Sequence, residues 1–212
     1  MPFPRFYKLA CEKRERLLEV AAQEFARYGF EDASMNRILE RAQMSKGAAY
    51  YYFEDKVDLF FTVVQYANER LKLIDLELDI AGLTAMTFWP TFAELHRQPL
   101  LRSFEQPWLF AAVRAAGHLS SATLEREPLA TLARQMLAWV MAIVKRGQEV
   151  GVIRTDVPDE LIFAWLQALD DASDQWLLTH WEHLDREAIR QISDQTVDAM
   201  RRMLAPPAQS LS

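Results

Sequence analysis

Cysteine is nearly absent: Cys11 is the only one in 212 residues, so no disulfide can close within the chain. That fits a reducing compartment, and no second thiol stands nearby to make Cys11 half of a redox pair. Glycine and proline are also sparse, at six and nine, which argues against disorder over most of the length. Long apolar runs are missing, since none approaches the roughly 20 residues that span a bilayer. The stretch MPFPRFYKLACEKRERLL has a faintly lipoprotein-like LAC but lacks the apolar run that a secretory signal requires. A cytoplasmic protein without a membrane partner is expected. Glycine-rich phosphate loops and nucleophile–base groupings are lacking too. His180 and His183, with Glu182 beside them, come nearest to a metal set but show no convincing third ligand, so neither enzyme activity, metal nor cofactor is expected.

Against these absences, half of the residues are hydrophobic, ample for a buried core in one large or two modest domains. The net charge of −6 is unevenly spread. Residues 1–56 hold ten Lys and Arg against nine Asp and Glu, whereas 57–212 hold fourteen against twenty-one. A near-neutral first segment on an acidic body is compatible with nucleic-acid binding, provided its cations share a face.

The apolar spacing is helical throughout, and no stretch alternates with strand period. Leu18, Ala21, Ala22, Phe25 and Tyr28 form one face of a helix over 9–28, ended by Gly29. Ser34 offers an N-cap to a short helix with Met35, Ile38, Leu39 and Ala42, and Ser45 to a second short helix. Asp55 caps a long one, with Asp58 three residues on and a stripe through Phe60, Val63, Val64, Ala67, Leu71, Ile74 and Leu78. Pro90, Pro99, Pro107, Pro128 and Pro158 should interrupt the later helices. Between them lie candidates over 129–147, 158–181 and 185–203, for about nine helices in total. The tail 206–212 should be disordered. The fold class is all-α.

The two short helices are below the about 12–15 residues at which an isolated helix holds together, so packing must support them. A helix-turn-helix makes this demand, and its second helix enters the DNA major groove. The run FARYGFEDASMNRILERAQMSKGAAYYYFEDKVDLF resembles the DNA-binding domain of the tetracycline-repressor (TetR) family of bacterial regulators. Phe25, Gly29, Met35, Ile38, Ala42, Ser45, Gly47, Tyr50, Phe53, Lys56 and Leu59 carry the match at the family's spacing. EVGVIRTDVPDELIFAWLQALDDA is similar to the turn that leads into the family's eighth helix. Two positions depart. Gln43 stands where the family usually has glycine; a positive φ there would cost about 1 kcal/mol, so another turn geometry is expected. Ala49 replaces a larger apolar residue. The resemblance implies a three-helix DNA-binding domain, here 9–56 with its helix-turn-helix at 34–53, followed by an effector-binding and dimerisation domain at 57–205.

Candidate DNA contacts follow. Ser45 suits a phosphate oxygen and Lys46 a phosphate or guanine. Gly47 and Ala48, almost bare, let the helix sink into the groove, and Ala48 can touch a thymine methyl. The resemblance implies that Tyr50 is partly packed and reaches a phosphate. Tyr51, about 100° further round, is a candidate for base or phosphate. Tyr52 is divided between DNA and packing, while Ala49 and Phe53 point inward. Lys56 should meet the backbone across the groove, with Ser34 and Arg37 as further phosphate candidates.

Beyond this segment, Phe88, Trp89, Phe92, Phe104, Trp108, Phe110 and Trp139 are rings that could line a pocket for a hydrophobic or aromatic effector or simply form core. Leu161, Trp165, Leu169, Ala172 and Trp176 keep a near-heptad spacing, and Ile189, Ile192, Thr196 and Met200 a second stripe. Paired across a two-fold axis they would give a four-helix homodimer interface, as the resemblance also implies; otherwise both stripes face the subunit's own core. With the resemblance, which implies a repressor released by a small ligand, these point to a ligand-released repressor acting as a homodimer on a palindromic double-stranded operator. The alternatives are a DNA-binding regulator controlled by a protein partner and, further off, a small helical enzyme.

Overall fold

The computed structural model describes residues 2–73 and 77–207, apart from the side chains of Lys46, Ala48 and Ala49. Among these residues are ten α-helices and no strand. They fall into two compact units, one of residues 2–72 with 105–133 and the other of the remainder. The whole helix from Lys56 and the segment 105–133 belong with the amino-terminal helices.

In the first unit, α1 (Cys11–Asp32) buries Leu17, Leu18, Ala21, Ala22 and Phe25 against α4 (Lys56–Leu71) and α6 (Pro107–Gly117). Phe25 meets the edge of Phe60 with ring centres 4.8 Å apart. Gly29, at φ 70° and ψ 174°, kinks α1 without ending it, and one further turn follows to Asp32. Only glycine adopts that backbone region readily. α2 (Met35–Arg41) and α3 (Lys46–Tyr52) pack on this frame, and α7 (Ser121–Leu124) starts at a Ser120 cap. α4 stops at Leu71 because Lys72 turns left-handed, its N–H bonding the Asn68 carbonyl. Of the residues expected to prolong its stripe, Leu78 is beyond the helix and Ile74 outside the described residues.

The second unit contains α5 (Phe88–Arg102), most of α8 (Leu129–Glu149), α9 (Asp159–His180) and α10 (Arg186–Leu204). Its core gathers Phe88, Ile143, Val144, Ile153, Ile162, Leu166, Met200 and Leu204. Two prolines expected to interrupt this region lie within α5. Pro90 sits in the first turn, where a backbone N–H has no helical partner in any case. Pro99 is interior; the buried Leu100 and Leu101 and the packing of α5 on α10 carry the helix past it. His96 ties three helices through its two ring nitrogens, 2.6 Å from Ser193 Oγ and 3.0 Å from Asp170 Oδ1.

Candidate nucleic-acid interface

The first unit displays α2 and α3 through local and long-range devices. Ser34 Oγ accepts the Arg37 N–H at 3.4 Å and caps α2. At its other end Gln43 is left-handed, with φ 57°. The Gln43 N–H bonds the Glu40 carbonyl at 3.0 Å, and the Met44 N–H bonds that of Leu39 at 2.8 Å. This pair is the Schellman arrangement that glycine usually closes. The turn therefore has the ordinary helix-turn-helix shape, contrary to the expectation from Gln43, and glutamine bears its backbone cost.

Beneath α2 lies a residue that apolar spacing did not single out. Glu24 is 1% exposed, yet its carboxylate accepts the Ser34 N–H at 3.0 Å and Arg37 Nε at 2.6 Å. Arg41 stands 3.9 Å from its other oxygen. The signal was there to read: Glu24 sits three residues from Ala21 and seven from Leu17, an acid on the buried stripe. Arg37 also donates to the Asp32 carbonyl at 3.0 Å and lies over the Tyr28 ring at 4.5 Å. It is thus built into the α1–α2 junction. Around it a cleft of about 360 Å³ is lined by Gln23, Glu24, Arg27, Tyr28, Arg37 and Arg41.

Lys56 is engaged as well. Its ammonium donates to the carbonyls of Glu31 and Ala33 at 2.8 and 3.3 Å and lies over the Phe30 ring. Closing the end of α1 is its visible work, since cations suit the carbonyl end of a helix. Beside it, burial would raise the Asp55 carboxyl, but the Asp58 N–H and the Arg126 guanidinium outweigh it and hold the group below its ordinary range. Asp55 thereby fixes the start of α4 directly behind α3.

On α3 the phenols divide. Tyr50 is 77% exposed, further out than the partly packed tyrosine that the resemblance implied, and Tyr51 is 52% exposed. Tyr52 is half-buried, with its ring edge-on to Phe6 and to Tyr51, and Phe53 is core. A Cβ added at Gly47 would meet nothing within 4 Å, so the fold itself does not require glycine there. Ser45 is exposed just before the helix. The proposed contacts of Lys46 and Ala48, and the inward position of Ala49, concern side chains outside the described residues.

The candidate effector rings split between the units. Phe88, Trp89 and Phe92 pack on one another with centres 5.3 to 6.3 Å apart, and Trp139 lies partly buried against the same core. Phe104 carries the Arg186 guanidinium 5.5 Å above its ring. Trp108 and Phe110 belong to the first unit, where both are buried and Trp108 stacks on Tyr66. Of the candidate interface residues, Leu161 and Trp176 are 43% and 46% exposed, Ala172 is exposed, and Trp165 and Leu169 are partly buried. On α10, Ile189, Thr196 and Met200 are instead buried inside their own unit, leaving Ile192 partly exposed. The stripe turns inward because α10 packs on both α5 and α9.

Residues 17–63 match the family described as bacterial regulatory proteins, tetR family. The chain is similar to the HTH-type transcriptional repressor AcnR of Corynebacterium diphtheriae, 25% identical over 75% of this chain and 77% of that one. In fold it is similar to a TetR family transcriptional regulator from Chloroflexus aurantiacus (TM-score 0.64, 24% identity, 97% and 99% of the two chains). The transcriptional regulator FadR from Bacillus subtilis, solved in complex with stearoyl-CoA, is also similar in fold (TM-score 0.65, 14% identity, 88% and 96%). All three bear names of transcriptional regulators. Among the described residues no helix is long and apolar enough to cross a membrane.

Proposed function

Because the chain belongs to the tetR family of bacterial regulatory proteins by its amino-terminal domain, we propose that it is a sequence-specific repressor that binds an operator in the cytoplasm as a homodimer. One observation carries this reading: the second helix of the helix-turn-helix presents the exposed rings of Tyr50 and Tyr51 on the same short helix as a bare Gly47. Side chains that large, turned to solvent beside a backbone without side chain, suit a groove rather than the protein's own core. AcnR, similar over three quarters of this chain, is named as a repressor, which favours repression.

The apolar residues left exposed on α9, Leu161, Ala172 and Trp176, support α9 as the main subunit contact, with Ile192 as the contribution of α10. Trp89, Phe92 and Trp139, all only partly buried, are the rings best placed for an apolar effector; the stearoyl-CoA bound to FadR shows what a protein of similar fold accommodates. An effector that prefers the non-binding state lowers operator affinity by that preference. The test is selection of bound sequences from a genomic DNA pool by the full chain, followed by a thermal-shift screen of apolar ligands against DNA release. Enrichment of a two-fold symmetric site supports the reading, and failure to enrich any sequence contradicts it.

A further inference from the structure

We propose that residues 2–9 form part of the DNA-reading surface, with Arg5 as the residue that positions Tyr51. The inference rests on the DNA-binding function proposed above and extends it beyond the helix-turn-helix. The segment is anchored. Phe6, at the start of a short 3-10 turn (Phe6–Lys8), is 1% exposed and packs on Phe53 with ring centres 5.0 Å apart. The Phe3 N–H donates to the Tyr52 carbonyl at 2.9 Å. These contacts hold residues 2–9 against the end of α3.

Arg5 then reaches Tyr51 twice. Its Nε donates to the Tyr51 carbonyl, and its guanidinium lies over the Tyr51 ring at 4.2 Å and the Phe3 ring at 4.6 Å. Tyr52 meets the Tyr51 ring nearly at a right angle, 5.0 Å between centres. A half-exposed phenol is thus confined by a cation and a second ring, so less rotamer freedom is lost when it meets a partner. The charge of Arg5 is also uncompensated. Three other arginines of this unit meet acids, Arg37 with Glu24, Arg70 with Glu15 and Arg126 with Asp55. Among the described residues Arg5 has no acidic partner, only rings and a carbonyl. A cation left unpaired beside exposed Tyr51 suits an anionic ligand, and DNA phosphate is the one that lies beside a helix in the groove.

The experiment uses the full chain and the duplex that the parent protein selects from a DNA pool, with fluorescence anisotropy over a salt series. R5A should weaken binding by about tenfold and make the log affinity against log salt slope shallower by about one. Its melting temperature should stay at the parent value. R5K should restore the slope, since the charge remains, but not the preference for the selected duplex over a scrambled one, since a lysine stacks poorly on the Tyr51 ring. Parent-like affinity and slope in R5A would overturn the proposal. So would an affinity loss with an unchanged slope and a lowered melting temperature, which would make Arg5 a structural fastener only. Should the parent select no sequence at all, the function proposed above fails and this inference with it.

Discussion

Replacing Glu24 with alanine removes the acceptor that joins α1 to α2. Two bonds are lost, from the Ser34 N–H at 3.0 Å and from Arg37 Nε at 2.6 Å, both to an ionised group that is 1% exposed. Hydrogen bonds to charged groups contribute about 1.5–3 kcal/mol each. The larger figure for stranding a buried charge does not apply, because Arg37 and Arg41 are each 47% exposed and recover water. The lower end of the range for both bonds gives about 3 kcal/mol, or a fall of about 6–12 °C in melting temperature for a chain of this size. Circular dichroism during heating measures it, with the Glu24→Gln variant as a comparison that keeps the volume. A midpoint within about 1 °C of the parent would refute the reasoning, because it would mean that Glu24 is no more than a solvated acid.

Three further outcomes follow from the same geometry. Gly147→Ala should lose about 1–3 kcal/mol in urea unfolding, since its Cβ would lie 2.6 Å from Ile153 Cδ1 and 2.7 Å from Phe88 Cζ; an unchanged midpoint would mean that both side chains yield freely. Gln43→Gly should stabilise by about 0.5 kcal/mol, the relief of a left-handed glutamine less the added freedom of glycine in the unfolded chain, and a loss of stability contradicts this. The Asp55 carboxyl, held below its usual 3.8, stabilises the fold above that value, and the contribution is lost as pH falls through the lowered one. The stability gap between the parent and Asp55→Asn should therefore be present at neutral pH and close below about pH 4, whereas a gap constant across that range contradicts the assignment.

What was legible in the sequence was local. Ser34, Asp55 and Asp185 each cap the helix that their position foretold, because an N-cap depends on residues within three of it. The helix-turn-helix followed from two short amphipathic stretches and their spacing. What stayed hidden depends on partners far along the chain. Arg37 and Lys56 read as free cations until Glu24 and the carbonyls of Glu31 and Ala33 are seen to hold them, across separations of 13 to 25 residues. The docking of Phe6 on Phe53, which settles Tyr52 as half packed, is likewise invisible to periodicity. Pro99 within α5 and the stop at Lys72 show tertiary packing and a single dihedral overriding local propensity.

The central claim is that Tyr50 and Tyr51 on α3 read DNA, and it is tested most directly by the Tyr50→Ala/Tyr51→Ala double variant. Anisotropy titrations at fixed salt would compare the selected duplex with a scrambled one. Because both rings are exposed, the variant should melt like the parent, and its preference for the selected duplex should fall by about tenfold or more. A preference equal to the parent's would contradict the account.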